Sequence, residues 1–97
     1  MNKREYLLIC LSEELAEVQQ QIGKCLRFTT DHMHTDYNTT NFEELVLEMN
    51  DVYAITELLE ACGLEIGIDD ERIDSKMART LKYMEISADL GVIKRVV

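Results

Sequence analysis

The chain contains no proline, and this absence most constrains the fold that its 97 residues can adopt. Proline and glycine are the strongest markers of turns and helix ends. The four glycines fall mostly between segments in which apolar residues recur at helical spacing: Gly23, Gly63, Gly67 and Gly91. Long helices are therefore favoured over a hairpin-rich β structure. The sequence predicts an all-α fold.

The first periodic segment begins near Lys3 and ends at Phe28. Its apolar residues recur three, four and seven positions apart, which predicts one uninterrupted helix. The polar stretch from Thr29 to Asn41 follows, and it has no apolar period of its own. This stretch is predicted to be a loop.

The second segment has the signals of a helix at both ends. Thr40 or Asn41 can cap its amino terminus, and Glu43 and Glu44 lie in its first turn, where negative charge suits the helix dipole. Gly63 is typical of the residue that follows a helix carboxyl terminus. The second helix is therefore predicted to end at Gly63.

A third helix is predicted from about Asp70 to Leu90, with Gly91 at its end. Its apolar residues are expected to face a core: Ile73, Met77, Leu81 and Met84. Residues 1–97 are expected to form a single all-α domain, a helical hairpin plus a third helix. A chain of this size buries only about 60–65% of the surface that it exposes when unfolded. We therefore expect a helix bundle assembled by oligomerisation, in a homodimer or homotetramer.

The balance of charge limits the possible partners. Nineteen acidic residues against ten lysines and arginines give a net charge of −9, which argues against polymeric nucleic acid or an anionic membrane surface as the partner. The apolar run from Tyr6 to Leu11 is too short to cross a bilayer or to serve as a signal sequence. Three cysteines without a C-x-x-C pair are typical of reduced thiols, so a cytoplasmic protein is expected.

Acidic pairs recur at helical spacing on the first two predicted helices. Glu14 and Glu17 lie three positions apart, and so do Glu48 and Asp51. In an antiparallel hairpin these four carboxylates can converge beside the core, and carboxylate oxygens are the ligands that Mg²⁺ prefers. The same pattern is also common on solvated helix faces. From spacing alone, a solvated acidic surface that binds no metal ion is therefore an open alternative.

The residues around these pairs resemble a known family. The stretch "SEELAEVQQQIGKCLRF" is similar to the first helix of the MazG-like all-α nucleoside triphosphate pyrophosphohydrolases, and "EELVLEMNDVYAI" is similar to their E-x-x-D helix. The segment "KMARTLKYMEISADLG" resembles the ending of the short members encoded by phages and bacteria. One departure is the longer stretch between Glu17 and Glu48.

The resemblance implies hydrolysis of a nucleoside or deoxynucleoside triphosphate to a monophosphate and pyrophosphate, in the cytoplasm or in the host cytoplasm if a phage encodes the chain. It implies Mg²⁺, with Mn²⁺ as the alternative, held by Glu14, Glu17, Glu48 and Asp51. The residues expected to take part in catalysis are Glu13, Glu14 and Glu17. Of these, Glu13 is expected to orient or deprotonate the water that attacks the phosphate. Lys76, Lys82 and Tyr83 are expected from the resemblance to contact the substrate. Lys24 lies on the helical face of Glu17, and Arg27 lies one turn further, so each is expected either to reach a phosphate oxygen or to be a surface cation.

Two other functions stay open from the sequence. One is a non-catalytic acidic helical protein that binds a basic partner. The other is a hydrolase of a different nucleotide that carries a pyrophosphate group.

Overall fold

The computed structural model describes residues 1–33 and 38–94. Within those residues the secondary structure is three α-helices and one isolated β-bridge, which confirms the predicted all-α class. The chain divides into two compact units, Met1–Ile66 and Gly67–Val97. The single domain expected over residues 1–97 stays a prediction.

Helix α1 spans Lys3–Phe28 without interruption, as its apolar period predicts. Asn2 caps its amino terminus: the Asn2 Oδ1 atom accepts a hydrogen bond of 2.8 Å from the backbone N–H of Glu5. The Asn2 side chain also donates to the Glu5 carboxylate at 3.2 Å. One of the four N–H groups that lack a partner at a helix start is thereby satisfied.

Helix α2 spans Asn41–Ala61, and Thr40 is its cap. The backbone N–H of Glu43 donates to Thr40 Oγ1 at 3.0 Å, and the N–H of Thr40 donates to the Glu43 carboxylate at 3.3 Å. This reciprocal pair is a capping box. An isolated antiparallel β-bridge joins Met33 to Thr40.

The carboxyl end of α2 is closed by Gly63. The N–H of Gly63 donates to Glu60 at 2.9 Å and the N–H of Leu64 donates to Leu59 at 2.9 Å, which is the hydrogen-bond pattern of a Schellman motif. Gly63 has φ +88°, a left-handed conformation that glycine adopts readily. The predicted position of this glycine after the helix is confirmed.

Helices α1 and α2 pack against each other as an antiparallel hairpin. Near the start of α1, the Arg4 Nε atom donates to the carbonyl of Cys62 at 2.7 Å, which is beyond the end of α2. Near the end of α1, Gln21 Nε2 donates to the carbonyl of Asn41 at 2.9 Å, which is at the start of α2. The first helix therefore runs alongside the second in the opposite direction.

The apolar core of the described residues is small. Its buried members lie in the hairpin: Val18, Val52 and Leu59. Of these, Leu59 alone has no exposed surface. All three cysteines are free thiols, each of them half-buried.

Helix α3 spans Asp70–Asp89 in the second unit. Asp69 caps it by accepting a hydrogen bond from the N–H of Arg72 at 3.0 Å, and Gly91 follows it with φ +77°. None of its residues is buried, including the four apolar residues predicted to face a core. Among residues 1–33 and 38–94 no helix has the length and apolar character that crossing a membrane requires.

Candidate metal centre

Three carboxylates meet at the middle of the α1–α2 hairpin. Glu14 and Glu17 lie three positions apart on α1, so both project from the same face. The antiparallel packing brings Glu48 of α2 beside them. Glu14, Glu17 and Glu48 each offer one oxygen, and these oxygens all lie within 4.8 Å of one another. The structure therefore brings together three of the four residues predicted as metal ligands.

Two oxygens in this cluster are buried and have no hydrogen-bond partner among residues 1–33 and 38–94. They are Oε2 of Glu14 and Oε2 of Glu48. Both residues are half-buried, whereas Glu17 is exposed. Most buried polar atoms in proteins have a hydrogen-bond partner, because water that is lost on burial must be replaced. These two oxygens are therefore positioned to accept a ligand that carries positive charge.

Burial and crowding raise the pKa of both half-buried carboxyl groups. For Glu14, burial is the largest cause of the raised pKa, and the negative charges of Glu17, Asp51 and Glu13 raise it further. For Glu48, burial again comes first, followed by a hydrogen bond with the side chain of Glu17, which requires a proton on one of the two carboxyls. The charged forms of Glu14 and Glu48 are thus disfavoured.

Two further predicted residues lie close enough to act on the cluster through their charge. Asp51 is exposed on α2, outside the group of three oxygens, and its charge raises the pKa of both Glu14 and Glu48. Glu13 is exposed on α1 and raises the pKa of Glu14. Their roles as a fourth ligand and as a group acting on water stay predictions.

The two predicted cations of α1 differ in their surroundings. Lys24 is half-buried and follows Glu17 by seven positions, which returns it to the same face of the helix. Arg27 is exposed, and its guanidinium carbon lies 5.3 Å from the centre of the Phe28 ring. Ten positions after Glu17, Arg27 is turned about 80° away from it around the helix. Lys24 is therefore the better placed of the two to meet a group bound at the carboxylates.

The remaining predicted substrate contacts lie on α3, in the other unit. Lys76, Lys82 and Tyr83 are all exposed. Lys76 borders a shallow apolar cavity of about 240 Å³ together with Met77, Thr80 and Leu81. The predicted roles of Lys76, Lys82 and Tyr83 stay predictions.

Sequence reasoning missed one pair of buried polar residues next to the cluster. Gln21, four positions after Glu17, is only 7% exposed, and Asn41 is 3% exposed. Gln21 donates to the Asn41 backbone, and Asn41 Nδ2 donates to the carbonyl of Thr29 at 3.0 Å. Gln21 ends a run of three glutamines, and nothing in that run distinguishes the buried one.

A cluster of three carboxylates with two unpartnered buried oxygens can hold a hard divalent cation, since such cations take oxygen ligands. Comparisons of the chain with protein-family models, with curated proteins and with solved structures give no match.

Proposed function

We propose that this protein hydrolyses a nucleoside or deoxynucleoside triphosphate to a monophosphate and pyrophosphate, using a divalent cation held by the carboxylate cluster. One observation carries the proposal: Oε2 of Glu14 and Oε2 of Glu48 are buried and have no hydrogen-bond partner in the part of the chain that the structure describes. The reaction is proposed from the resemblance of the sequence to the MazG-like pyrophosphohydrolases. The carboxylate cluster is proposed to hold the cation that this reaction needs.

The donor set fits Mg²⁺, with Mn²⁺ as the alternative. Glu14, Glu17 and Glu48 would hold the ion, since their oxygens lie within 4.8 Å of one another, and Asp51 would add a fourth carboxylate. When bound, the ion neutralises phosphate charge and lowers the pKa of water. The net charge of −9 would otherwise repel a triphosphate.

The side chains of the hairpin would then orient the reactants. Water attacks the α phosphorus, a new oxygen–phosphorus bond forms, and the bond to the oxygen that bridges the α and β phosphates breaks, so pyrophosphate leaves intact. Glu13 would orient this water or accept its proton. Lys24, on the face of Glu17, would contact a phosphate oxygen. Arg27, one turn beyond Lys24, is proposed as a further phosphate contact, and Lys76, Lys82 and Tyr83 are proposed substrate contacts from the resemblance.

Cation binding is tested by thermal melts with EDTA and with millimolar Mg²⁺. A ligand that binds only the folded state raises the free energy of unfolding by mass action, by about 2.7 kcal/mol when its concentration is 100 times its Kd, and the melting midpoint rises with it. We expect a rise in the wild type and little rise in a Glu14→Gln, Glu48→Gln double variant. The matched control changes two exposed glutamates of α2, Glu57→Gln and Glu60→Gln, and should respond as the wild type does.

The reaction is tested by separating the products on an anion-exchange column after incubation with a panel of nucleoside triphosphates. Monophosphate and pyrophosphate are expected, and Asp51→Asn should abolish turnover while the helical circular dichroism is retained. Orthophosphate as the sole product, or full activity in Asp51→Asn, would contradict the mechanism. If the protein hydrolyses only a different pyrophosphate-bearing nucleotide, that nucleotide rather than a nucleoside triphosphate is its substrate. Indifference to both Mg²⁺ and nucleotides would favour the acidic helical interaction protein.

A further inference from the structure

Two adjoining cavities lie at the end of the hairpin where α1 begins and α2 ends. The first has a volume of about 290 Å³ and is lined by Lys3, Tyr6, Leu7, Leu58, Ala61 and Cys62. The second has a volume of about 450 Å³ and is lined by Asn2, Lys3, Arg4 and Cys62. Because Lys3 and Cys62 line both, the two cavities can receive different parts of a single molecule.

The first cavity is almost entirely apolar. Tyr6 of α1 and Leu58 of α2 both line it, and they are 61% and 51% exposed although they line a concave surface. An apolar concavity with an aromatic side chain and few polar groups is the usual character of a small-molecule site. Covering Tyr6 and Leu58 removes apolar surface from water, which favours binding of an apolar body.

The second cavity carries positive charge in an otherwise acidic unit. Residues 1–66 contain thirteen acidic residues and four cations, which are Lys3, Arg4, Lys24 and Arg27. Two of those four cations line this cavity, and none of the residues lining either cavity is acidic. An anionic group is therefore attracted to this end of the hairpin, whereas the surrounding acidic surface repels it.

Arg4 is held in place by the backbone of the other helix. Its Nε atom donates to the carbonyl of Cys62 at 2.7 Å. A guanidinium has five N–H donors, so this bond leaves four for other acceptors. The absence of a side chain at Gly63 allows this approach, because a Cβ atom there would lie 2.6 Å from Arg4 Nη2. Arg4 is thus a preorganised donor.

We propose that these two cavities bind a small amphiphilic anion, with its apolar or aromatic body between Tyr6 and Leu58 and its carboxylate, sulfonate or phosphate group beside Lys3 and Arg4. This site is distinct from the carboxylate cluster, since Tyr6 and Glu14, the cluster residue nearest to it along α1, are eight residues apart, or about 12 Å along the helix. It does not depend on the proposed hydrolysis.

Cys62 lines both cavities, so the rate at which its thiol is alkylated is expected to report on occupancy. Wild-type protein is alkylated with iodoacetamide, with and without 8-anilinonaphthalene-1-sulfonate, an aromatic anion, and each thiol is followed by mass spectrometry of tryptic peptides. At a probe concentration about ten times its Kd, alkylation of Cys62 should slow about tenfold, because only the empty fraction reacts. Cys25, near the other end of α1, is the internal control and should be unaffected.

The anionic group is tested with Lys3→Ala, for which Lys94→Ala, at an exposed lysine outside both proposed sites, is the matched control. Removing one exposed cation should raise the Kd of the probe up to about fivefold, and Lys94→Ala should not change it. The uncharged N-phenyl-1-naphthylamine should protect Cys62 less well than the sulfonate. Equal protection of Cys25, or an unchanged Kd in Lys3→Ala, would overturn the proposal. So would alkylation of Cys62 that slows with rising protein concentration in the absence of probe, because a second copy would then cover the cavities.

Discussion

Two adjacent leucines of α2, Leu58 and Leu59, allow the contribution of side-chain burial to stability to be measured separately from the other effects of Leu→Ala. Leu59 is 0% exposed and Leu58 is 51% exposed. Both lie inside the same helix, so Leu→Ala changes helix propensity equally at the two positions. Only the surroundings of the removed atoms differ between the variants.

The expected loss of stability follows from those surroundings. Leu→Ala at a fully buried site costs about 3 kcal/mol or more, since it loses the transfer free energy and leaves a cavity. Leu58→Ala loses roughly half of the transfer free energy and leaves no enclosed cavity, so it should cost about 1 kcal/mol. A difference of about 2 kcal/mol corresponds to roughly 8–16 °C in the melting midpoint for a chain of this size.

The assay is thermal unfolding of both variants, followed by circular dichroism at one protein concentration and checked by urea titration. Leu59→Ala should melt well below Leu58→Ala. Midpoints that fall equally would refute the reasoning, because they would mean that Leu58 is as fully buried in solution as Leu59.

Three further outcomes are expected. Folding raises the pKa of Glu14 and Glu48 above the ordinary 4.5, so the folded protein binds more protons than the unfolded chain. Melts in EDTA should therefore show stability falling as the pH rises from 4.5 towards neutrality, with a flatter profile in Glu14→Gln, Glu48→Gln. Light scattering at micromolar concentration should give at least twice the mass of one chain, and a clean monomer would contradict the expected oligomer. Lys76→Ala should raise KM more than it lowers kcat, which steady-state kinetics would show.

The helices were predictable because their signals are local. The apolar period from Lys3 to Phe28 and the left-handed glycine at position 63 each depend on neighbouring residues only. The sequence offers Thr40 and Asn41 as the residue that caps the start of α2. In the structure Thr40 is the cap, and it forms a capping box with Glu43. Asn41 instead supplies backbone and side-chain hydrogen bonds to residues of α1 and the segment after it.

The candidate site was only partly predictable, because convergence depends on how two helices pack. Spacing alone pairs Glu14 with Glu17 and Glu48 with Asp51, and an antiparallel hairpin is expected to bring the four carboxylates together. The oxygens that lie together in the structure are those of Glu14, Glu17 and Glu48. The buried Gln21 and the reach of Arg4 to Cys62 could not be predicted, since each depends on a partner at least twenty residues away. The apolar residues of α3 recur at the spacing of a helix face that packs on a core, so the sequence does not distinguish their exposure from burial.

The hydrogen bond between Arg4 and Cys62 has a consequence for the order in which the hairpin folds. It joins residues 58 positions apart, whereas Gln21 and Asn41 are 20 apart. Closing the longer loop costs about 1 kcal/mol more in chain entropy. We infer that the hairpin closes first beside the connection between its helices and last at the cavities.

The same end should then be the first to open during unfolding. Arg4→Ala should speed unfolding with little change in the folding rate, because contacts that form after the transition state act on the unfolding rate. Equal changes in the two rates would contradict this order. A molecule held between Tyr6 and Leu58 would accordingly prolong the lifetime of the folded protein without helping it to fold.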